Sequence, residues 1–197
     1  MKYFLSLCTF FAVFFSGLSA REPEAFLTYR PTIFVPFSND FRKTIGEGLF
    51  ANQFEGGFFT YPDWSVWGNV SYLSRTGDLS GFRDSAKIQL LTLSAGASYH
   101  FAMNIWNCEG YLGVGPLYGK ANFVDPRQDR DNVNLNRDAL GAIVKFGFIY
   151  HFQRCAQLDL FCDYQQLVVK SHVRSGSTKG NLTLSGLNTG IGLGIVF

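Results

Sequence analysis

Apolar residues alternate with small or polar residues along most of this chain. The C-terminal segment 187–197 is the clearest case. A second case is the segment 139–152, where one face holds Leu140, Ala142, Val144, Phe146, Phe148, Tyr150 and Phe152. The opposite face holds Gly141, Ile143, Lys145, Gly147, Ile149 and His151. A helix repeats every 3.6 residues and would not sort residues in this way. The period of two therefore predicts amphipathic β-strands.

Eight segments show this pattern: 25–36, 50–61, 64–73, 91–101, 108–120, 139–152, 157–170 and 187–197. The second is ambiguous, because Phe58 and Phe59 fall on opposite faces. The connections alternate between long ones, near 37–49, 75–85, 122–137 and 171–180, and short ones. Strands this long cross a bilayer when tilted, and alternating connections are typical of a barrel with one short-turn rim. We predict an all-β fold, an eight-stranded antiparallel up-and-down transmembrane β-barrel.

Composition excludes two other classes. Hydrophobic residues make up 47% of the chain and the net charge is only +2. Such a chain buries enough apolar surface to fold, so disorder is excluded. It has no block of Lys and Arg of the kind that contacts phosphates, so we expect no nucleic-acid partner.

The first twenty residues predict a secretory signal peptide. A lysine precedes an apolar run, and Ser16 to Ala20 are small or apolar residues of the kind found at cleavage sites. The alternative is an uncleaved anchor, but the run is short for spanning a bilayer. We expect cleavage after Ala20 and a barrel formed by residues 21–197.

Charged residues of the strands fall mainly on the glycine-rich face. We expect them to form a charge cluster in the lumen: Arg30, Glu55, Glu109, Lys145, Asp159 and Asp163. A charge that faces lipid at mid-depth costs about 2–4 kcal/mol, so the inside favours them. Three lysines on the apolar face, Lys87, Lys120 and Lys170, lie beside long connections. They are candidates for pairing with the phosphates of lipopolysaccharide. The alternative is simple snorkelling of their ammonium groups to the interface.

Two observations separate a membrane barrel from a lipocalin-like secreted barrel. A water-coated exterior would carry many Lys, Glu and Asp, whereas the polar face here is mostly Gly, Ser, Thr and Asn. Aromatic residues also gather near the short connections: Tyr61, Trp64, Phe101, Trp106, Tyr150 and Phe152. They predict an aromatic girdle at one membrane interface, the alternative being ordinary core aromatics.

The chain resembles the small eight-stranded outer-membrane barrels of the OmpA, OmpX and OmpW type. The sharpest match is its end, where Gly192, Ile195 and Phe197 are similar to the C-terminal insertion signal of those proteins. Gly190 departs from the pattern, because the family usually has a polar residue there. The resemblance implies location in the outer membrane and insertion by the barrel-assembly machinery. We expect no peptidoglycan-binding domain after Phe197.

Three cysteines follow the predicted signal peptide, and an exported protein meets an oxidising compartment. Cys108 opens the fifth predicted strand and Cys155 follows the sixth, so both are expected at the same rim. An intramolecular disulfide is one outcome, and two free thiols or crosslinks to other proteins are the alternative. Cys162 falls on the apolar face and is predicted to be a small lipid-facing residue.

No constellation in the sequence predicts catalysis, a metal or a cofactor. His172 and Ser175 lie close together in the last long connection, but no nucleophile motif surrounds them. The acidic residues near Asp125 do not reproduce an EF-hand loop. We expect a non-enzymatic protein.

The function predicted from these patterns is structural or surface-interacting, adhesin-like or supporting envelope integrity. Its partners would be outer-membrane lipid, lipopolysaccharide and a surface ligand of the long connections. The alternative is a small channel or a conduit for hydrophobic solutes, and a lipid A-modifying barrel enzyme is the remote one.

Overall fold

A computed structural model describes residues 24–38, 42, 48–61, 63–78, 85–103, 108–124, 134–153, 155–169 and 182–197. Its eight strands are β1 (Ala25–Pro36), β2 (Leu49–Tyr61), β3 (Trp64–Asp78), β4 (Ser85–Met103), β5 (Cys108–Val124), β6 (Asn134–Gln153), β7 (Ala156–Val169) and β8 (Leu182–Val196). The predicted signal peptide lies outside these residues. Within them, no helix has the length and apolarity needed to span a membrane.

The strands form one closed antiparallel barrel in chain order, in which β1 pairs with both β2 and β8. The predicted fold class is confirmed. Several strands are longer than predicted, since β4 begins at Ser85, β6 at Asn134 and β8 at Leu182. Pairing there continues as regular backbone registers, for example Val124 with Asn134. Backbone hydrogen bonding does not require apolar and polar residues to alternate in the sequence. The sequence pattern therefore underestimates the length of these strands.

The connections confirm the predicted alternation. Segments 62–63, 104–107 and 154–155 join strands at one end of the barrel, which we call the short rim. Segments 37–48, 79–84, 125–133 and 170–181 join them at the other end, the long rim.

Side chains alternate between the outside of the barrel and its lumen as predicted. Leu140, Leu193 and Val114 are 60–70% exposed on the outside, while Arg30 is fully buried in the lumen. The ambiguity in β2 is resolved. Phe58 points outward, whereas Phe59 is half-buried and packs 5.7 Å from the ring of Phe26.

The lumen near the long rim is filled by apolar side chains, which the sequence did not predict. This apolar plug consists of Phe34, Leu49, Leu73, Ile88, Leu90, Leu117, Ile143, Leu167 and Leu184. An eight-stranded interior is just wide enough for side chains to fill it. Inward-facing apolar residues therefore contact one another there, as they would in the core of a soluble protein.

Aromatic residues are exposed outside the barrel near the short rim. They include Trp64, Phe101, Tyr150 and Phe152, at 38–50% exposure. This placement is that of an aromatic girdle. Trp106 and the side chain of Tyr61 lie outside the described residues.

Cys108, Cys155 and Cys162, the described cysteines, are free thiols in this structure, which is the alternative that the sequence left open beside a Cys108–Cys155 disulfide. Cys108 pairs in register with Tyr150, and Cys155 lies in the turn beyond Gln153. The three residues from Tyr150 to Gln153 alone span about 10 Å at the rise of a strand. A disulfide needs Cα atoms within about 7 Å. The two cysteines lie at the same rim but at different heights along the barrel.

Candidate functional site in the barrel lumen

Arg30 of β1 is the centre of a buried ion cluster at mid-barrel. Its guanidinium contacts Glu55 of β2 at 2.6 Å and Asp159 of β7 at 3.0 Å. It also lies 3.2 Å from Asp163 of β7. A single side chain therefore links three strands across the lumen.

Lys145 of β6 and Tyr111 of β5 complete this arrangement. The ammonium of Lys145 donates to Glu55 Oε2 and lies 4.1 Å from the centre of the Trp67 ring. The Tyr111 hydroxyl accepts from Arg30 at 2.9 Å and donates to Asp159 at 3.0 Å. We call Arg30, Glu55, Tyr111, Lys145, Asp159 and Asp163 the charge cluster. Five of the six charged residues predicted for the lumen belong to it.

Glycines on the inward faces make room for these long side chains. A Cβ on Gly192 of β8 would lie 3.0 Å from Arg30 Cγ. A Cβ on Gly147 of β6 would lie 2.6 Å from the hydroxyl of Tyr111. The charge cluster therefore depends on the glycine-rich face, because residues without side chains leave the space that the large side chains occupy.

The Gly147→Ala variant tests this packing. We expect it to destabilise the barrel by about 1–3 kcal/mol, because the added methyl group would lie 2.5 Å from the backbone carbonyl oxygen of Leu160 as well as against Tyr111, and so overpacks the site. Urea unfolding in detergent micelles, followed by gel mobility, measures the change. Gly68→Ala is the matched control, because its Cβ would lie 3.9 Å from the nearest atom. Equal stability of the two variants would contradict the packing role of Gly147.

Glu109, the sixth predicted residue, lies apart from the charge cluster, in a separate network at the short rim. Its carboxylate bonds to His100 Nδ1 of β4 and lies 3.7 Å from His151 Nε2 of β6. The other nitrogen of His100 lies 2.7 Å from Ser65 Oγ of β3. Four neighbouring strands are thus joined, and we call Ser65, His100, Glu109 and His151 the rim network.

The connectivity of Ser65, His100 and Glu109 is that of a nucleophile, a base and an orienting acid. Sequence reasoning missed it, because three residues on three strands become neighbours only once the register is known. The order of exposure is opposite to that of a hydrolase, since Ser65 is 1% exposed and the Glu109 side chain 27%. The serine lies behind the histidine, so the geometry favours a supporting network over acyl transfer. Among the described residues, no three His, Cys, Asp or Glu side chains form a metal site.

A cavity lies between the rim network and the charge cluster. Ser65 and His100 line it on one side, and Glu55, Tyr111 and Asp159 on the other. Phe26, Phe59, Trp67 and Ile149 contribute apolar walls. The cavity therefore connects the only two ionisable groupings described inside this barrel.

The barrel closes at the predicted C-terminal signal. Ala25 N donates to Phe197 O at 2.8 Å, and Phe197 N donates to Ala25 O at 2.9 Å. Ile195 and Phe197 are exposed on the outside, whereas Gly192 faces the lumen. Of the three lysines near the long rim, Lys120 is exposed on β5. Lys170 and the side chain of Lys87 lie outside the described residues.

The closed eight-stranded barrel is similar to solved structures of outer-membrane proteins. Neisserial surface protein A matches with a TM-score of 0.60 at 13% identity, over 89% of this chain and 97% of its own. The small outer-membrane β-barrel is the fold of this chain. OprG of Pseudomonas aeruginosa matches with a TM-score of 0.63 at 14% identity, over 91% of this chain and 98% of its own.

The attachment invasion locus protein Ail of Yersinia pestis matches with a TM-score of 0.59 at 15% identity, over 90% of this chain and all of its own. No family model and no curated protein matches this chain. At these identities the likeness shows the fold, and the role of the protein has to be argued from its own residues.

Proposed function

We propose that this chain is an integral barrel of a bacterial outer membrane with a structural or surface-interaction role. The observation that carries the proposal is the closure of the lumen. A barrel with a blocked interior offers its outer surface and its connections to partners, and it offers no path to solutes.

Two layers close the lumen at different depths. The charge cluster spans it at mid-barrel, where Arg30 alone reaches residues of β2 and β7. The apolar plug fills the part towards the long rim. An ion would have to break the first layer and then lose its hydration shell in the second, which favours a non-conducting barrel.

Planar-bilayer recording tests the closure. We expect the purified protein to give no sustained single-channel openings, because neither layer leaves a continuous aqueous path. A conducting porin reconstituted in the same bilayers serves as the positive control. Sustained openings at constant voltage would favour the alternative, a small channel or a conduit for hydrophobic solutes, and would overturn the closed-lumen proposal.

The similar structures support a surface role. One structure of Ail is a complex with a heparin analogue, sucrose octasulfate. We propose that a surface ligand of this chain binds the connections of the long rim. In this proposal the long rim lies outside the cell and the short rim in the periplasm, as in outer-membrane barrels with short periplasmic turns.

Lipopolysaccharide contact by Lys87, Lys120 and Lys170 remains part of the proposal. We expect the triple Lys→Gln variant to retain less lipopolysaccharide during detergent extraction, because three cations near the phosphate level are lost. Quantification of co-purified lipopolysaccharide measures the effect. The triple Lys→Arg variant keeps all three cations and is the matched control. Unchanged retention of lipopolysaccharide by the triple Lys→Gln variant would show that the lysines only snorkel to the interface.

A further inference from the structure

The charge cluster contains an excess of one carboxylate. Its cations are Arg30 and Lys145, and its carboxylates are Glu55, Asp159 and Asp163. All five residues are at most 7% exposed. If all five were ionised, the enclosed cluster would carry a net charge of −1. A buried charge without compensation is strongly unfavourable, so a further positive charge is required there.

The contacts indicate that Asp163 is the carboxyl group whose ionised form is least stabilised. Glu55 Oε2 accepts from Arg30, Lys145 and Asn69. Asp159 contacts Arg30 Nε at 3.0 Å and accepts from Tyr111 at 3.0 Å.

Asp163, by contrast, has two longer contacts with Arg30. Its Oδ1 accepts from Nη2 at 3.5 Å, and its fully buried Oδ2 lies 3.2 Å from Nη1 in an ion pair without a hydrogen bond. Its register partner on β6 is Lys145, whose ammonium is bonded to Glu55 instead. Asp163 is therefore held by one loosely placed guanidinium.

The rim network provides a route to the cluster from the short rim. The side chains of Glu109 and His151 are 27% and 34% exposed, and His100 joins Glu109 to the buried Ser65. An imidazole can take a proton on one nitrogen and release one from the other.

Beyond Ser65 lies the cavity, which Asp159 and Tyr111 also line. Trp67 Nε1 and Gln157 Oε1 are buried without partners, and both residues line this cavity. A polar cavity with unsatisfied groups is where ordered water binds, and water would carry a proton across it.

We propose that Asp163 binds one proton inside the lumen, exchanged with the short-rim side through the rim network, the cavity and Asp159, which lines the cavity and shares the Arg30 guanidinium with Asp163. The described ionisable groups around Asp163 are Arg30 of β1, Glu55 of β2, Tyr111 of β5, Lys145 of β6 and Asp159 of β7, and His100 of β4 faces the cavity. The inward neighbours from β3 and β8 are the neutral Asn69 and Asn188.

Infrared spectroscopy of the folded barrel in micelles at pH 7 tests the site. Exposed carboxyl groups are ionised at this pH. We expect one protonated-carboxyl band in the native protein and none in the Asp163→Asn variant. Asp138→Asn, an exposed carboxylate that accepts from Tyr118, is the matched control and keeps the band. Absence of the band in the native protein, or its survival in Asp163→Asn, would overturn the proposal.

Two further measurements separate the proton from a metal cation and test the route. Replacing sodium by potassium or by choline should leave the band unchanged, whereas loss of the band on adding sodium would assign the site to a metal cation. The band shifts in heavy water, and His100→Gln, which keeps hydrogen bonding but cannot relay a proton, should slow that shift severalfold. An unchanged rate would contradict the proposed route. Heat-modifiable gel mobility verifies that each variant is folded.

Discussion

Replacing Arg30 by Met is expected to destabilise the barrel by about 3–5 kcal/mol, the largest effect of any single substitution considered. The methionine fills much of the same volume, so the loss is electrostatic. Glu55, Asp159 and Asp163 would be left as three buried carboxyls with Lys145 as the only remaining cation of the charge cluster. Removing one partner of a buried ion pair is costly because the other charge stays uncompensated.

Urea titration in detergent micelles, followed by tryptophan fluorescence and heat-modifiable mobility, measures this loss. Arg75→Met is the matched control, because Arg75 is exposed and contacts the carbonyl of Gly48. Exposed substitutions of this kind change stability by about 0.5 kcal/mol or less. Equal unfolding midpoints for the two variants would show that the lumen contains water that screens the carboxyls.

Replacing Val144 by Arg is expected to cost about 2–4 kcal/mol in a bilayer. Val144 is 45% exposed on the outside of β6, next in sequence to Lys145 of the charge cluster. That position is at mid-depth of the barrel, where an arginine facing lipid is most unfavourable. Unfolding from phospholipid vesicles is the appropriate measurement, because micelles deform around a charge more readily than bilayers do.

Tyr150→Arg on the same strand provides the control for depth. Tyr150 belongs to the exposed aromatic residues near the short rim, where an arginine reaches the interface and costs about 0–1 kcal/mol. A difference in cost is therefore expected between two positions that lie six residues apart on one strand. A flat profile would indicate that this face of β6 does not contact hydrocarbon.

The sequence predicts the barrel well because the period of two is a local property. Each of the eight strands was identified, and the lumen position of Arg30, Lys145 and Asp163 followed from parity alone. Glu109 shows the limit of that reasoning. Parity places it in the lumen, but only the register decides that its partners are His100 and His151 rather than Arg30.

The apolar plug was not predicted, because the residue type of an apolar side chain such as Phe34 or Leu117 does not indicate whether it faces the lumen or the lipid. Parity assigns them to the inside, whereas hydrophobicity assigns them to the outside. The packing of one narrow interior settles the conflict, and packing depends on all eight strands at once. The rim network was missed for a similar reason, since Ser65, His100 and Glu109 are joined only by pairing between strands.

The apolar side of each strand faces hydrocarbon, and the glycine-rich side faces a closed lumen. Nitroxide labels on single cysteines placed from position 142 to 149 of β6 in lipid vesicles test it most directly. Collision with oxygen, which concentrates in hydrocarbon, should be strong at 142, 144, 146 and 148 and weak at the positions between them. Collision with a water-soluble nickel reagent should be weak throughout. Strong nickel collision at the even positions would show that this surface faces water and would contradict its contact with hydrocarbon.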